Sequence, residues 1–253
     1  MNNNNQITSA IIPARLASSR LPRKVLADIH GHPLIWHVWN RVSQAKNINN
    51  IYIATDSDEV KQVAEDFGAN VLMSDPDCQS GTERIASILS QIPGDRILNV
   101  QGDEPFVDPA MLDGLINHWN THPADLITPI FRINAFSELL NPNIVKVARA
   151  ADGHALYFSR SPIPHLRDFP QEEWLAHATF WGHIGVYGYQ RNVLEKFYQL
   201  PASDLEPLER LEQLRFLEAG YRFQTFETDY RPLAVDVKDD LNKVREIFAR
   251  GEK

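Results

Sequence analysis

The strongest constraint on this chain is a repeated alternation of short apolar runs with amphipathic helical patterns. ITSAIIPAR, NIYIATD, NVLMSD and RILNVQGDEP read as four strands. Between them, PLIWHVWNRVSQA spaces Leu34, Val38, Val42 and Ala45 three or four apart, which lines them up on one helix face. SDEVKQVAEDFGA opens on a serine and carries Gly68 near its end, the capping residues of a helix. TERIASILSQI and DPAMLDGLINHW supply two more helices, the second opening on an aspartate–proline pair. The strands are apolar without in–out alternation, which suits a parallel sheet covered on both faces. Strand and helix in strict succession predict an α/β protein with a doubly wound, mostly parallel sheet.

The second half is less regular. DLITPI, NIVKVARA, HALYFSR and HIGVYGY read as strands with few long helices between them, so the sheet is expected to carry an inserted mixed or antiparallel arm. EPLERLEQLRFLEAGY reads as one helix, RFQTFET as a strand and DDLNKVREIFARG as a last helix. No glycine- or serine-rich linker and no repeat divides the chain, so a single domain over residues 7–250 is expected, with the arm around 125–190.

Composition narrows the function. A formal net charge of -8 argues against a nucleic-acid-coating surface. No apolar stretch reaches the roughly 18 residues of a membrane span. The start, MNNNNQITSA, lacks the basic and apolar parts of a signal peptide and is expected to be a frayed tail. Cys78 is the only cysteine, which excludes an internal disulfide. Together these point to the cytoplasm.

In open parallel sheets, ligands bind beyond the carboxyl ends of the strands. Those ends here are Pro13–Arg15, Thr55–Asp56, Asp75 and Asp103. NVQGDEP closes an apolar strand on two adjacent acids, so Asp103 can face a crevice rather than the core. The loop PARLASSRLPRK carries Arg15, Arg20, Arg23 and Lys24, with Ser18 and Ser19. It has no glycine and so matches neither the dinucleotide fingerprint nor the P-loop. Such a cluster could be a solvated loop. Pro13 and Pro22 stiffen it, however, and four cations between a first strand and a first helix suit a polyphosphate. A polyphosphate normally arrives with Mg²⁺, which takes oxygen ligands. Asp103 and Asp236 could clamp that metal between the two halves of the chain. Taken alone, Asp236 reads better as an acid favouring a helix N-terminus. SGTERI reads as a capping box around Thr82 or Ser80, and HIGVYGY places His183, Gly185, Tyr187 and Tyr189 on one strand face. A histidine in that setting is commonly a core or edge residue.

The ordered set PAR-x-x-SSR-LP-x-K, QSGTER, NVQGDEP, NPNIVKV, ALYFSR, H-IG-VYGY, LERLEQLR and VD-x-x-x-DL resembles the 3-deoxy-manno-octulosonate cytidylyltransferases. The likeness runs from about Ile11 to Phe248. It implies a nucleotide-binding sheet and transfer of CMP from CTP to the anomeric hydroxyl of a 3-deoxy-octulosonic sugar acid (Kdo), as a step toward lipopolysaccharide. It implies that Arg15, Arg20 and Lys24 hold the triphosphate and that Asp103 and Asp236 hold Mg²⁺. Gln101, Arg160, Arg167, His183, Tyr187, Glu212 and Gln213 would hold the sugar acid. Ala14, Ser80, Gly81 and Arg84 would complete the substrate-binding set. The family also implies a homodimer, with the arm serving dimerisation and sugar binding.

The chain departs from the family pattern in four places. Arg23 stands where glycine is usual, Cys78 and Gly182 where histidine and arginine are usual, and Val237 follows Asp236 where threonine is usual. No assigned metal or triphosphate ligand is lost. Several departures lie near the expected sugar, which keeps open the 8-amino form of the same sugar or another sugar-acid nucleotidyltransferase. A nucleotide-binding sensor without turnover is the third reading, and the intact Asp103 and Asp236 argue against it.

Overall fold

The computed structural model describes residues 6–18 and 20–251; the expected frayed start, over residues 1–5, and Ser19 of the basic loop lie outside them. The first half follows the periodicity of the sequence. Strand β1 (Thr8–Pro13) leads through a small hairpin, β2 (Asp28–Ile29) and β3 (His32–Pro33), into α1 (Leu34–Val42). Then come β4 (Asn50–Thr55), α2 (Asp58–Asp66), β5 (Asn70–Met73), α3 (Gly81–Ser87), β6 (Arg96–Val100) and α4 (Pro109–Thr121). Helix α2 starts where the Ser57 hydroxyl accepts from the Val60 amide, and α4 where Asp108 accepts from the Ala110 amide ahead of Pro109 at the first helical position. Each cap satisfies one of the orphan donors of a helix start.

The second half comprises β7 (Leu126–Arg132), α5 (Phe136–Leu140), β8 (Lys146–Arg149), β9 (Ala155–Ser159), α6 (Trp174–His177), β10 (Trp181–His183) and β11 (Val186–Gln190). The remaining elements are α7 (Arg191–Leu194), α8 (Leu205–Glu209), α9 (Gln213–Glu218), β12 (Phe223–Glu227) and α10 (Lys238–Arg250). One ten-stranded sheet unites both halves in the order β5-β4-β1-β6-β11-β7-β10-β8-β9, with β12 parallel to β7. Strands β5, β4, β1 and β6 run parallel; β11 is antiparallel to both β6 and β7 and turns the sheet into its antiparallel arm. Successive residues of β1 feed opposite layers, as a strand requires. Ala10 and Ile12 pack with Val38 and Leu112, whereas Ile11 packs with Ile85 and Leu214. Helices thus cover both faces, and the doubly wound expectation holds.

Two expected elements are broken. HIGVYGY is two strands, not one: β10 and β11 lie along the same side of β7, opposite β12, and are separated by an irregular step at Ile184–Gly185, where the Val186 amide turns back onto the Ile184 carbonyl at 2.7 Å. The expected helix over EPLERLEQLRFLEAGY divides into α8 and α9 because Arg210 adopts a left-handed conformation, φ 53° and ψ 52°. That break exposes the carbonyls of Glu209 and Arg210, and Arg160 claims both. A helical continuation would have used those acceptors internally.

Candidate functional site

The carboxyl ends of β1 and β6 lie side by side, and a close approach sets their spacing. A Cβ on Gly102 would come within 2.5 Å of the Pro13 carbonyl oxygen, so only glycine lets the QGDEP turn seat against the end of β1. The same turn is tied to the C-terminal part of the chain, because the Val235 amide donates to the Asp103 carbonyl at 2.9 Å. Asp103 and Asp236, far apart in sequence, therefore meet. The Lys24 ammonium sits between them, 2.6 Å from Asp103 and 3.4 Å from Asp236. Arg20 reaches Asp236 at 3.1 Å. Arg15 is exposed and makes no ion pair among the described residues.

Two cavities meet at this pair of acids. The smaller, about 240 Å³, is lined by the basic loop through Arg15, Ser18, Arg20 and Lys24, and by Cys78, Ser80, Gly81 and Arg84 from the start of α3. The larger, about 640 Å³, is lined by Arg160, His183, Tyr187 and Gln213 among others. Arg20, Gln101, Asp103, Glu212 and Asp236 border both. Two of the expected residues fall outside. Ala14 has no exposed surface, and its amide is spent on the Ala54 carbonyl at 2.8 Å. Arg167 lies exposed beyond β9 and lines neither cavity.

The walls of the two cavities differ in how their polar groups are satisfied. In the smaller, Ser80 caps α3 by accepting from the Glu83 amide at 3.1 Å, which selects Ser80 over Thr82 as the cap. Arg84 is buried and bridges Ser74 to Asp56, the latter at 2.9 Å, so it braces the ends of β4 and β5 while lining the cavity. In the larger, the Thr128 hydroxyl donates to the Val186 carbonyl at 2.7 Å, so its oxygen accepts from His183 Nε2 at 2.8 Å. A hydroxyl has one proton to give; His183 is therefore protonated on Nε2 and keeps Nδ1 as an acceptor. Burial drives the His183 pKa down to about 3, so the ring is neutral. Tyr187 Oη donates to Gln213 Oε1 at 3.1 Å, while Gln213 Nε2 is buried without a partner. An orphaned buried donor costs about 1–3 kcal/mol, which a ligand oxygen would recover.

Arg160 is held by three carbonyls: Nε to Glu209 at 2.7 Å, one terminal nitrogen to Pro142 at 2.9 Å and the other to Arg210 at 3.3 Å. A guanidinium has five N–H donors, so each terminal nitrogen retains one. The Glu212 carboxylate accepts from the Thr82 amide at 3.1 Å and joins the two cavities.

Glu104, the second acid of QGDEP, has no assigned role in the sequence pattern. The structure makes it a buried member of the acid cluster. Burial first, then the charges of Asp103 and Asp236, push its carboxyl up to about 8, and Tyr230 donates to it at 3.2 Å. Its one sequence signal is its place beside Asp103; nothing local announces Tyr230. Glu209, whose carboxylate takes the Ser159 hydroxyl at 2.7 Å and the Arg160 amide at 2.9 Å, was missed for the same reason.

Three departures from the expected pattern have physical accounts. Arg23 occupies a left-handed conformation, φ 59° and ψ 28°, which glycine adopts more readily, and it pairs outward with Glu59. Gly182 leaves room for the Phe131 ring, which a Cβ would strike; Arg231 lies over that ring at 4.5 Å. Val237 precedes α10, where the Asp240 carboxylate accepts from its amide and from that of Asp236, both at 3.0 Å. Cys78 borders the smaller cavity, and nothing in the structure explains its replacement of histidine.

The sequence pattern of the cytidylyltransferases matches residues 9–226. A 3-deoxy-manno-octulosonate cytidylyltransferase of Geobacter sulfurreducens is 42% identical over 244 residues, 94% of this chain and 98% of its own. One from Trichlorobacter lovleyi is 41% identical over 96% of this chain and 98% of its own. A solved CMP:2-keto-3-deoxy-manno-octonic acid synthetase complexed with CTP superposes with a TM-score of 0.90 at 37% identity, over 97% of this chain and 99% of its own. A 4-diphosphocytidyl-2C-methyl-D-erythritol synthase of Anaerococcus prevotii shares the fold alone, at a TM-score of 0.61 and 14% identity over 97% of this chain and 99% of its own.

Proposed function

The chain belongs to the 3-deoxy-manno-octulosonate cytidylyltransferase family, and from that premise we propose that it transfers CMP from CTP to the anomeric hydroxyl of Kdo. The observation that carries this reading is the convergence of Asp103 and Asp236 on one cation, at the junction of a basic cavity and a neutral, hydrogen-bonding one. The anomeric oxygen bonds to the α-phosphorus, the bond to the β-phosphate oxygen breaks, and pyrophosphate leaves. Such a reaction needs positioning and charge neutralisation more than covalent help from the protein.

Arg15, Arg20 and Lys24 are assigned to the triphosphate and to the charge that builds on the leaving pyrophosphate. The two remaining N–H groups of Arg160 suit the sugar carboxylate. His183 Nδ1 accepts from a sugar hydroxyl, and the orphaned Gln213 Nε2 donates to one. Gln101, Glu212 and Tyr187 fill the remaining wall.

Mg²⁺ fits this arrangement. Asp103 and Asp236 would hold it; they already share one cation, the Lys24 ammonium, whose distances show that both carboxylates reach a single point. Among the described residues no cluster of three or more histidine, cysteine or acidic side chains forms a complete cage, which agrees with an ion that takes its other ligands from phosphate and water. When bound, it would polarise the α-phosphate and lower the pKa of the attacking hydroxyl. With the metal on the acid pair, Lys24 would be available to the phosphates.

We further assign a homodimer and a cytoplasmic location. The sheet ends on the open edge of β9, where Leu156 is 59% exposed, and Leu208 on the neighbouring α8 is 79% exposed. An uncovered edge with apolar side chains is a ready surface for a second copy, which supports a role for the 125–190 arm in dimerisation as well as sugar binding. No helix among the described residues is long and apolar enough to cross a membrane. The product would serve lipopolysaccharide synthesis. The relatives carry the name of the unmodified sugar, and the 8-amino form is not favoured.

The test is pyrophosphate release from CTP and Mg²⁺ with a panel of sugar acids, including the 8-hydroxy and 8-amino octulosonates. Turnover with the 8-hydroxy sugar supports the reading. A preference of about tenfold, or 1.4 kcal/mol, for the 8-amino sugar changes the acceptor, and no release with any member ends the assignment.

A further inference from the structure

Lys146 is fully buried, a rare state for a lysine. It lies in the sheet, paired with Gly182 on one side and Ser159 on the other. Its ammonium donates to the Asn141 carbonyl at 2.9 Å and the Ile144 carbonyl at 2.7 Å. The Pro142 carbonyl between them goes to Arg160 at 2.9 Å. Two cations thus gather three carbonyls of one short turn. The turn is closed on itself as well: the Asn143 amide donates to the Asn141 side chain at 2.9 Å, and the Ile144 amide to the Asn141 carbonyl at 3.1 Å.

This turn is a wall of the larger cavity, through Asn141, Asn143, Ile144 and Val145. It also borders both ends of the acceptor machinery. Pro142 holds Arg160, and the Val145 carbonyl accepts from the His183 amide at 2.8 Å. A buried cation is expensive to desolvate. Burial first, and then the charge of Arg160, lower the Lys146 pKa to about 8 against the opposing charge of Glu209. Its neighbours in the sheet carry no charge: Val147 follows it along the strand, and Ser159 and Gly182 stand across from it.

We propose that Lys146 is a positioning residue for the sugar acid, drawing the 141–145 turn inward so that Pro142 aims the free N–H groups of Arg160 at the sugar carboxylate. The inference rests on the function proposed above. It predicts that loss of the ammonium weakens use of the sugar while leaving CTP alone, because no atom of the turn borders the nucleotide cavity.

The experiment is steady-state kinetics on Lys146→Met, which keeps the length and removes the donors. KM for Kdo rises about tenfold or more and KM for CTP changes less than about twofold. In the cycle with Arg160→Lys, the double variant loses less than the product of the single losses, since both act through one contact. Equal changes in both KM values, an unchanged KM for Kdo, or losses that multiply would each overturn the proposal. If circular dichroism shows that Lys146→Met does not fold, Asn141→Ala decides: it loosens the same turn at a half-buried position. A severalfold rise in KM for Kdo alone supports the proposal, and no change overturns it. A wild-type enzyme that turns over no octulosonate sinks the underlying function as well; an active wild type with indifferent variants sinks this inference alone.

Discussion

The two cavities, the basic one proposed for the nucleotide and the neutral one proposed for the sugar, share Asp103, Asp236 and Glu212 on their border but are built on opposite principles. On the basic side the loop presents charge to solvent: Arg15 is exposed, and Arg20 is 61% exposed and its Asp236 partner 39%. On the sugar side His183 and Gln213 are buried, and Arg160 and Tyr187 are already anchored to protein atoms. The first arrangement attracts a flexible polyanion by charge and can rearrange around it. The second presents a fixed set of donors and acceptors, so a substrate with the wrong pattern leaves buried groups unsatisfied. Affinity for CTP is therefore expected to be salt-sensitive, and discrimination among sugars to be geometric.

The largest effect should come where the two cavities join. Asp103→Asn is expected to cost at least about a thousandfold in turnover with an unchanged circular dichroism spectrum, since Asp103 faces the cavities and not the core. A variant of normal activity removes the metal-ligand role and with it the shared border.

Arg160→Lys sharpens the contrast from the sugar side. It keeps the charge but loses the planar fork and the three-carbonyl anchorage. KM for the sugar should rise by about tenfold to a hundredfold with KM for CTP nearly constant; parallel rises in both would erase the distinction. On the nucleotide side, Arg20→Ala should lose on the order of a hundredfold in kcat/KM for CTP. Arg23→Ala should lose a few-fold at most, because Arg23 points to Glu59. Equal losses would mean the wrong cations were assigned.

A pH titration separates a neutral wall from a charged one. The His183 pKa is lowered to about 3 in the folded state from an ordinary value near 6.5. The unfolded chain thus binds a proton that the folded chain refuses, and stability falls as pH drops below about 6.5 toward 3. The loss amounts to several kcal/mol at the acid end. His183→Gln should flatten that acid limb in thermal melts; an unchanged slope would show that His183 is not held neutral. The smallest effect concerns Arg23. Arg23→Gly relieves a left-handed backbone and gives up an exposed ion pair, so stability should rise by about 0.5 kcal/mol, read as a small increase in denaturant midpoint at constant m.

Much of the first half was legible because its signals are local. Leu34, Val38 and Val42 mark a helix face, Ser57 and Asp108 mark helix starts, and Asp103 marks the carboxyl end of a strand wherever the sheet lies. The basic loop announced itself by charge density, although Arg23 turned outward. The second half was less legible because its signals are distant. EPLERLEQLRFLEAGY is locally a good helix, and its break at the left-handed Arg210 leaves the Glu209 carbonyl to Arg160, 49 residues earlier in the chain. HIGVYGY is locally a good strand, and it splits where its two halves, both beside β7, take different distant partners on their other edge, β8 for β10 and β6 for β11.

The amino-acid sequence by itself determined the alternation of strands and helices, the acid at the end of β6, the cation-rich loop after β1 and the family to which the chain belongs. All of these depend on residues within a turn or two of one another, or on their order along the chain. Only the tertiary structure decided that Asp103 and Asp236 share the Lys24 ammonium, that Glu104 is buried beside them, that His183 is neutral with Nδ1 free, and that Lys146 lies sealed beneath the sugar wall. Burial and long-range hydrogen bonding set those properties. A carboxylate, an imidazole or an ammonium has no fixed character until the fold determines how much water it keeps and which distant carbonyl or charge stands beside it.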